Sequence, residues 1–252
     1  MNHRKSARVN DAERDMARME KDACGRFEGL SVGSRDSASR DVIRLLAPHL
    51  SDERRQRIRD AVRERTYHVV PVVEGLANTG NVSAVMRTAE GLGLQEFHVI
   101  RGSVPPKKST RTTQGAHKWL DVHYHDTPAD CIGPLRARGY RIVVTHLDAT
   151  AVPISAVDFS EPVAIVFGNE LSGVSENMLS EADATVLLPI TGFVQSYNIS
   201  VAAAMALYHA DAARRAAGVG ELSESERERL EADFSMRAVR HAEQLLARSE
   251  KT

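Results

Sequence analysis

Three short segments of the chain concentrate the small and polar residues from which ligand sites are built. The first is Glu74-Gly-Leu-Ala-Asn-Thr-Gly-Asn-Val-Ser-Ala-Val-Met-Arg-Thr88. Asn81 stands where a helical pattern begins, and Arg87 follows close to two turns later. A guanidinium offers a planar fork of donors suited to a phosphate or a developing oxyanion. The plain alternative is a helix-capping Asn81 and a solvated Arg87. The second segment is Ile165-Val-Phe-Gly-Asn-Glu-Leu-Ser-Gly-Val174, an apolar run ending in Gly168, two polar residues and a second glycine. Glycine lets the main chain approach a ligand, and exposed N–H groups there can bind it. Glu170 is the one acid of this loop, and capping the next helix is its plain role. The third segment, Leu188-Pro-Ile-Thr-Gly-Phe-Val-Gln-Ser-Tyr-Asn-Ile-Ser200, leads an irregular polar loop into an alanine-rich helix that Asn198 and Ser200 could cap. Singly, each segment is weak.

The surrounding pattern says what must hold these segments. Short apolar or β-branched runs at 69–73, 97–100, 141–145, 163–167 and 185–188 predict strands. Helical spacing predicts helices over 81–92, 128–138, 175–182 and 198–216. Strands alternating with helices imply an α/β fold, a parallel sheet covered on both faces. Each polar segment then falls at the end of a strand, where such sheets bind ligands. Ahead of this core, residues 1–40 are polar and turn-rich, a helix over 40–46 stops near Pro48, and Ser51 caps a basic helix over 52–65. A last helix over 223–248 carries Leu230, Phe234, Val239 and Leu245 among charges, as expected of one packed on the core or a partner. The chain therefore divides into 1–65, 66–216 and 217–252.

Of the 252 residues 42% are hydrophobic and 27% charged, which excludes a disordered or fibrous protein. No apolar run approaches the ~20 residues of a membrane span, and the charged stretch 1–18 lacks a secretory signal's apolar core. Cys24 and Cys131 form neither a disulfide framework nor a CxxC pair, which points to a reduced cytoplasmic protein. Net charge is −1, but it is unevenly spread. Residues 1–65 carry 16 Lys/Arg against 12 Asp/Glu, a balance of +4, whereas 66–208 carry 9 against 13, a balance of −4. A basic arm ahead of an acidic core fits either contact with a polyanion or a solvated helix face.

Taken in order, Asn81-x5-Arg87-Thr88, Val166-Phe-Gly-Asn-Glu170-x2-Gly173 and Leu188-Pro-Ile-x-Gly192-x2-Gln195-Ser196-x-Asn198-Ile-Ser200 resemble the three signature motifs of the SpoU family of RNA ribose 2′-O-methyltransferases, within the SPOUT superfamily. The resemblance covers roughly residues 40–248. It is strongest to the TrmH-type tRNA (guanosine-2′-O)-methyltransferases, through the short helical arm, Gly115-Ala-His-Lys-Trp119 and the charged C-terminal helix. It departs at Leu76-Ala-Asn-Thr-Gly80, where that type carries a His-Pro-His-like stretch.

The resemblance implies a parallel α/β sheet tied C-terminally in a deep trefoil knot, with helical extensions at both ends. It implies S-adenosylmethionine held largely by backbone at Gly168, Leu188 and Tyr197, with Thr145 at a strand end. Catalysis would centre on Arg87. Glu170 and Asn198 would position the substrate or Arg87, and Ser196 and Asn81 would complete the pocket. The implied substrate is a tRNA guanosine, in the D-loop, and the implied assembly is a homodimer. RNA would be drawn in by Arg54, Arg55 and Arg59, with Lys118, Arg214 and Arg215 nearer the pocket. Ribosomal RNA is the alternative substrate, and a non-catalytic RNA-binding module the alternative function. The methyl donor is already activated, so no metal is expected, and His123-Tyr-His125 is expected at the surface. A Rossmann fingerprint is missing, since Gly91-Leu-Gly93 lacks its third glycine.

Overall fold

A computed structural model describes residues 35–75, 79–101, 115–148, 150–169 and 172–249. Two units emerge, one spanning the described residues from Tyr67 to Gly220, the other joining those up to Thr66 with those from Glu221.

The first unit is built on a seven-stranded sheet in which every pairing is parallel. Its strands are β1 (Val69–Glu74), β2 (Glu96–Ile100), β3 (Asp121–His125), β4 (Arg141–Thr145), β5 (Val152–Pro153), β6 (Val163–Phe167) and β7 (Ala184–Leu187). They lie in the order β3-β2-β1-β6-β4-β7-β5. Every residue of β1, β2 and β6 is buried. That is why β1 and β6 are near-continuous apolar runs, since helices cover both faces of a parallel sheet, whereas β2 also buries Glu96 and His98. Val69 and Val73 of β1 pack with Val85, Met86 and Ala89 of α3 (Thr79–Gly91) and with Ala203, Ala206 and Leu207 of α6 (Ile199–Ala217). Their neighbours Val70 and Val72 face the other way. They meet Cys131, Ile132 and Leu135 of α4 (Pro128–Ala137) and Met178 of α5 (Glu176–Ser180).

β3 and β5 were not legible as strands. β3 is an edge strand whose only buried residue is Val122, so it lacks an apolar run. β5 is two residues long and ends in Pro153, tolerated because the edge needs no further donor.

The second unit packs α1 (Arg35–Leu46), α2 (Asp52–Arg63), α7 (Glu224–Ala238) and α8 (Ala242–Ser249) around Leu46, Met236, Val239 and Ala242. Segments from both sides of the sheet unit in sequence thus share one small core. Arg40 reaches Glu228 at 2.6 Å, and the buried Arg65 guanidinium lies over the Phe234 ring, 5.3 Å from its centroid. The single C-terminal helix expected over 223–248 is instead two, interrupted where His241 takes a left-handed φ of 60°. The break allows Leu245 and Leu246 to pack on the same core as Leu46. Ser223 and Glu226 form a reciprocal capping box at the start of α7. Ser223→Ala should therefore lower stability by about 1 kcal/mol, measurable as a shifted denaturant midpoint with unchanged slope.

Candidate active site

The strand order decides where the three polar segments meet the sheet. All strands are parallel, so their C-terminal ends share one edge. β1, β6, β4 and β7 are consecutive neighbours in that sheet. The segment carrying Asn81 and Arg87 follows β1, Gly168 follows β6, Thr145 closes β4, and the segment from Leu188 to Asn198 follows β7. Four stretches far apart in sequence therefore leave four adjacent strand ends on one edge, where open α/β sheets take their ligands.

Local chemistry shapes each stretch. Asn81 lies in the first turn of α3, partly exposed, and Arg87 lies further along that helix, exposed and with no ion pair to another described residue. Gly168 is buried at the end of β6. A Cβ placed there would sit inside the contact distance of the Gly173 carbonyl carbon and the Val174 nitrogen. Only glycine lets these two main-chain segments lie so close. The loop closes on itself through Asn169 N to Gly173 O at 2.9 Å and Gly173 N to Asn169 O at 3.0 Å, while the Asn169 carboxamide holds Ser172. Glu170 lies outside the described residues.

A contact that sequence reasoning missed joins the first two segments. The buried Glu74 carboxylate, last in β1, accepts from Ser175 Oγ at 2.6 Å and from Ser175 N at 3.0 Å. The acid closing the apolar run Val69-Val-Pro-Val-Val was the available signal.

In the third segment Tyr197 is half-buried and donates its hydroxyl to Pro189 O at 3.1 Å, closing the loop between them. Leu188 packs against the core, Ser196 is exposed, and Asn198 caps α6 by accepting from Ser200 N at 3.0 Å and Ser200 Oγ at 2.6 Å. Capping and chemistry are thus compatible at Asn198. Thr145 donates its hydroxyl proton to Val166 O at 2.9 Å, which fixes the side chain across to β6.

The basic residues separate into two groups. Arg54, Arg55 and Arg59 lie on α2, where Arg55 pairs with Asp52 and Arg59 donates to Gln56 at 2.8 Å. Such i,i+3 contacts at a surface are weak and readily exchanged. Lys118 is exposed beside Trp119, and Arg215 is exposed with a 2.9 Å bond to Asp211. Arg214 is a correction. Its guanidinium is buried, 2.6 Å from Asp211 and donating to Val219 O at 3.2 Å, so it anchors the end of α6 instead of meeting RNA. Arg65, buried over Phe234, is likewise withdrawn from the basic arm's surface.

The model of the SpoU rRNA Methylase family matches residues 68–208, more than half of the chain and all the strand-end segments. The chain belongs to the SpoU family. Among SpoU relatives, a tRNA (guanosine(18)-2'-O)-methyltransferase of Escherichia coli (strain K12) is 32% identical over 186 residues, covering 72% of this chain and 81% of that one. The crystal structure of the A. aeolicus TrmH/SpoU tRNA modifying enzyme superposes with a TM-score of 0.68 at 30% identity, over 75% of this chain and 98% of that chain. An AdoMet-bound rRNA methyltransferase from Sinorhizobium meliloti matches with a TM-score of 0.52 at 27% identity, over 61% and 59% of the two chains. The SpoU core is thus the sheet unit, and the A. aeolicus match spans nearly all of its own chain.

Proposed function

We propose that this SpoU protein transfers a methyl group from S-adenosylmethionine to the ribose 2′-hydroxyl of a tRNA guanosine, in the D-loop. The observation that carries the reading is that all three family motifs follow strands β1, β6 and β7, whose ends lie on one sheet edge within four adjacent strands. The tRNA substrate is supported by relatives named for that reaction, and the trefoil knot follows from the resemblance of the motifs to the SpoU family.

The residues present fit the methyl donor. Gly168 presents main chain without a side chain; two strands along, Leu188 leaves the end of β7 packed on the core, and the Tyr197 hydroxyl ties its loop back to Pro189 there. When bound, the sulfonium supplies a methyl group already activated for displacement. The protein's task is then to hold a weakly nucleophilic hydroxyl in line with that methyl, and positioning of this kind can provide much of the acceleration. Arg87 is exposed, and a guanidinium is a planar cationic fork of donors with no acceptor atom. It therefore acts as a clamp on phosphate and on the developing alkoxide, not as the base. Glu170, Ser196, Asn198 and Asn81 position the nucleotide and Arg87.

The protein works as a homodimer in the cytoplasm. Val201, Met205 and Tyr208 of α6 are 48%, 42% and 67% exposed and recur on one helical face. Ala203, Ala206 and Ala210, on the opposite side of the helix, are buried against the sheet. An active monomer in sedimentation would remove this part of the reading. No described helix is long and apolar enough to cross a membrane.

The deciding experiment incubates the purified protein with methyl-labelled donor and separate tRNA and ribosomal RNA pools, then maps the labelled nucleotide by mass spectrometry. Label at a D-loop guanosine is expected. Label confined to ribosomal RNA would transfer the reaction to that substrate, and label in neither would leave an RNA-binding module. A second measurement tests the basic arm. Replacing Arg54, Arg55 and Arg59 by glutamine should weaken tRNA binding and flatten its logarithmic salt dependence by about 0.7–0.9 per lost phosphate contact. An unchanged slope would reduce α2 to a packing element.

A further inference from the structure

Away from the strand ends that carry the SpoU motifs, β2, β3 and α4 bring together donors that the methyl transfer does not use. β2 and β3 pair in parallel with His98 beside His123 and Ile100 beside His125. Cys131 sits in α4, buried, one turn beyond the Thr127 cap. His98 Nδ1 lies 2.8 Å from His125 Nε2, and one ligand atom each of His98, His125 and Cys131 falls within 4.8 Å of the other two. We propose that His98, His125 and Cys131 form a binding site for a divalent transition metal of the zinc class.

Three observations point to an ion, and to this donor set. First, the far nitrogen of His98 is already engaged. Nε2 lies 2.8 Å from the Glu96 carboxylate, which is itself buried. A carboxylate partner keeps the proton on Nε2 and turns the Nδ1 lone pair toward His125 and Cys131. This is the outer contact that metal-binding histidines characteristically make. Second, Glu96 is not a competing ligand. Both its oxygens are held by the Arg138 fork, at 2.7 and 2.6 Å. That weakens the other possible grouping, Glu96, His98 and His123. There His123 is half-exposed and its Nε2 is 3.9 Å from Glu96. Third, donors bound to zinc at about 2.0–2.3 Å must crowd within a sphere of this size. Two imidazoles and a thiol suit zinc or cobalt, not the oxygen-seeking magnesium or calcium.

The expected surface position of His123-Tyr-His125 therefore holds for His123 and fails for His125, which turns partly inward at the end of β3. The ion would tie edge strand β3 to β2 and to the first turns of α4. Three protein ligands leave a fourth position for water, and the half-buried His125 side offers an entry path.

The test uses the untagged full-length protein, stripped with a chelator and titrated with Co2+. One equivalent should produce tetrahedral d–d bands and a near-ultraviolet thiolate-to-cobalt band, both displaced by Zn2+. Zn2+ should also raise the melting temperature. Cys131→Ser should lose the thiolate band, and His125→Ala should lose both the bands and the Zn2+ shift. Cys24→Ser and His123→Ala should keep them all. Absence of bands in the parent protein, or a thiolate band surviving Cys131→Ser, would overturn the site. Loss of binding in His123→Ala with retention in His125→Ala would do the same. Each metal-free variant must first melt like the parent. If Cys131→Ser does not, His125→Ala and His123→Ala decide the question, because both side chains reach solvent.

Discussion

Arg87→Ala should reduce methyl transfer to tRNA by at least ~10²-fold, about 2.7 kcal/mol of transition-state stabilisation, while leaving the affinity for S-adenosylmethionine nearly unchanged. Arg87 is exposed on α3 and has no ion pair to another described residue, so its removal leaves no buried charge and no cavity. Stability should therefore move little, and the effect can be read as chemistry. Loss should appear in turnover more than in KM if the guanidinium meets charge that develops only as the hydroxyl attacks. Arg87→Lys should rescue poorly, because an ammonium lacks the planar fork. Near-normal turnover in Arg87→Ala, measured with saturating donor and tRNA, would remove Arg87 from the mechanism.

Gly168→Ala should damage the protein differently. The new methyl would collide with main-chain atoms of Gly173 and Val174, which cannot rotate away as a side chain can. Either β6 shifts or the Asn169–Gly173 bridge opens. Overpacking of this kind costs about 1–3 kcal/mol. We expect a lowered melting temperature together with loss of donor binding by calorimetry. Gly173→Ala provides the contrast. Its Cβ would meet nothing within 4 Å, but its φ of 68° is left-handed. It should cost about 1 kcal/mol through backbone strain and leave more of the donor affinity. A Gly168→Ala protein that melts normally and binds donor normally would show that close main-chain approach does not build this site.

The sequence alone determined what depends on near neighbours along the chain. β-branched runs announced β1, β4 and β6 because a strand covered on both faces is mostly apolar. Ser51 and Asn198 announced helix starts because a short polar side chain satisfies a free N–H two or three residues on. The motif residues were legible for the same reason, being grouped in short segments. The tertiary structure decided what depends on strand order. Nothing in periodicity says that β6 inserts between β1 and β4, yet that insertion brings Gly168 and Thr145 to one edge with the segments bearing Arg87 and Tyr197. It also decided which charges are available: Arg214 and Arg215 are adjacent in sequence, but one is buried against Asp211 and the other exposed. Edge strand β3 has no apolar signature, so His125 could not be placed near His98 and Cys131 until it paired with β2. Parallel pairing joins residues far apart along the chain, and a pattern read over a dozen neighbours carries no record of which distant strand lies alongside.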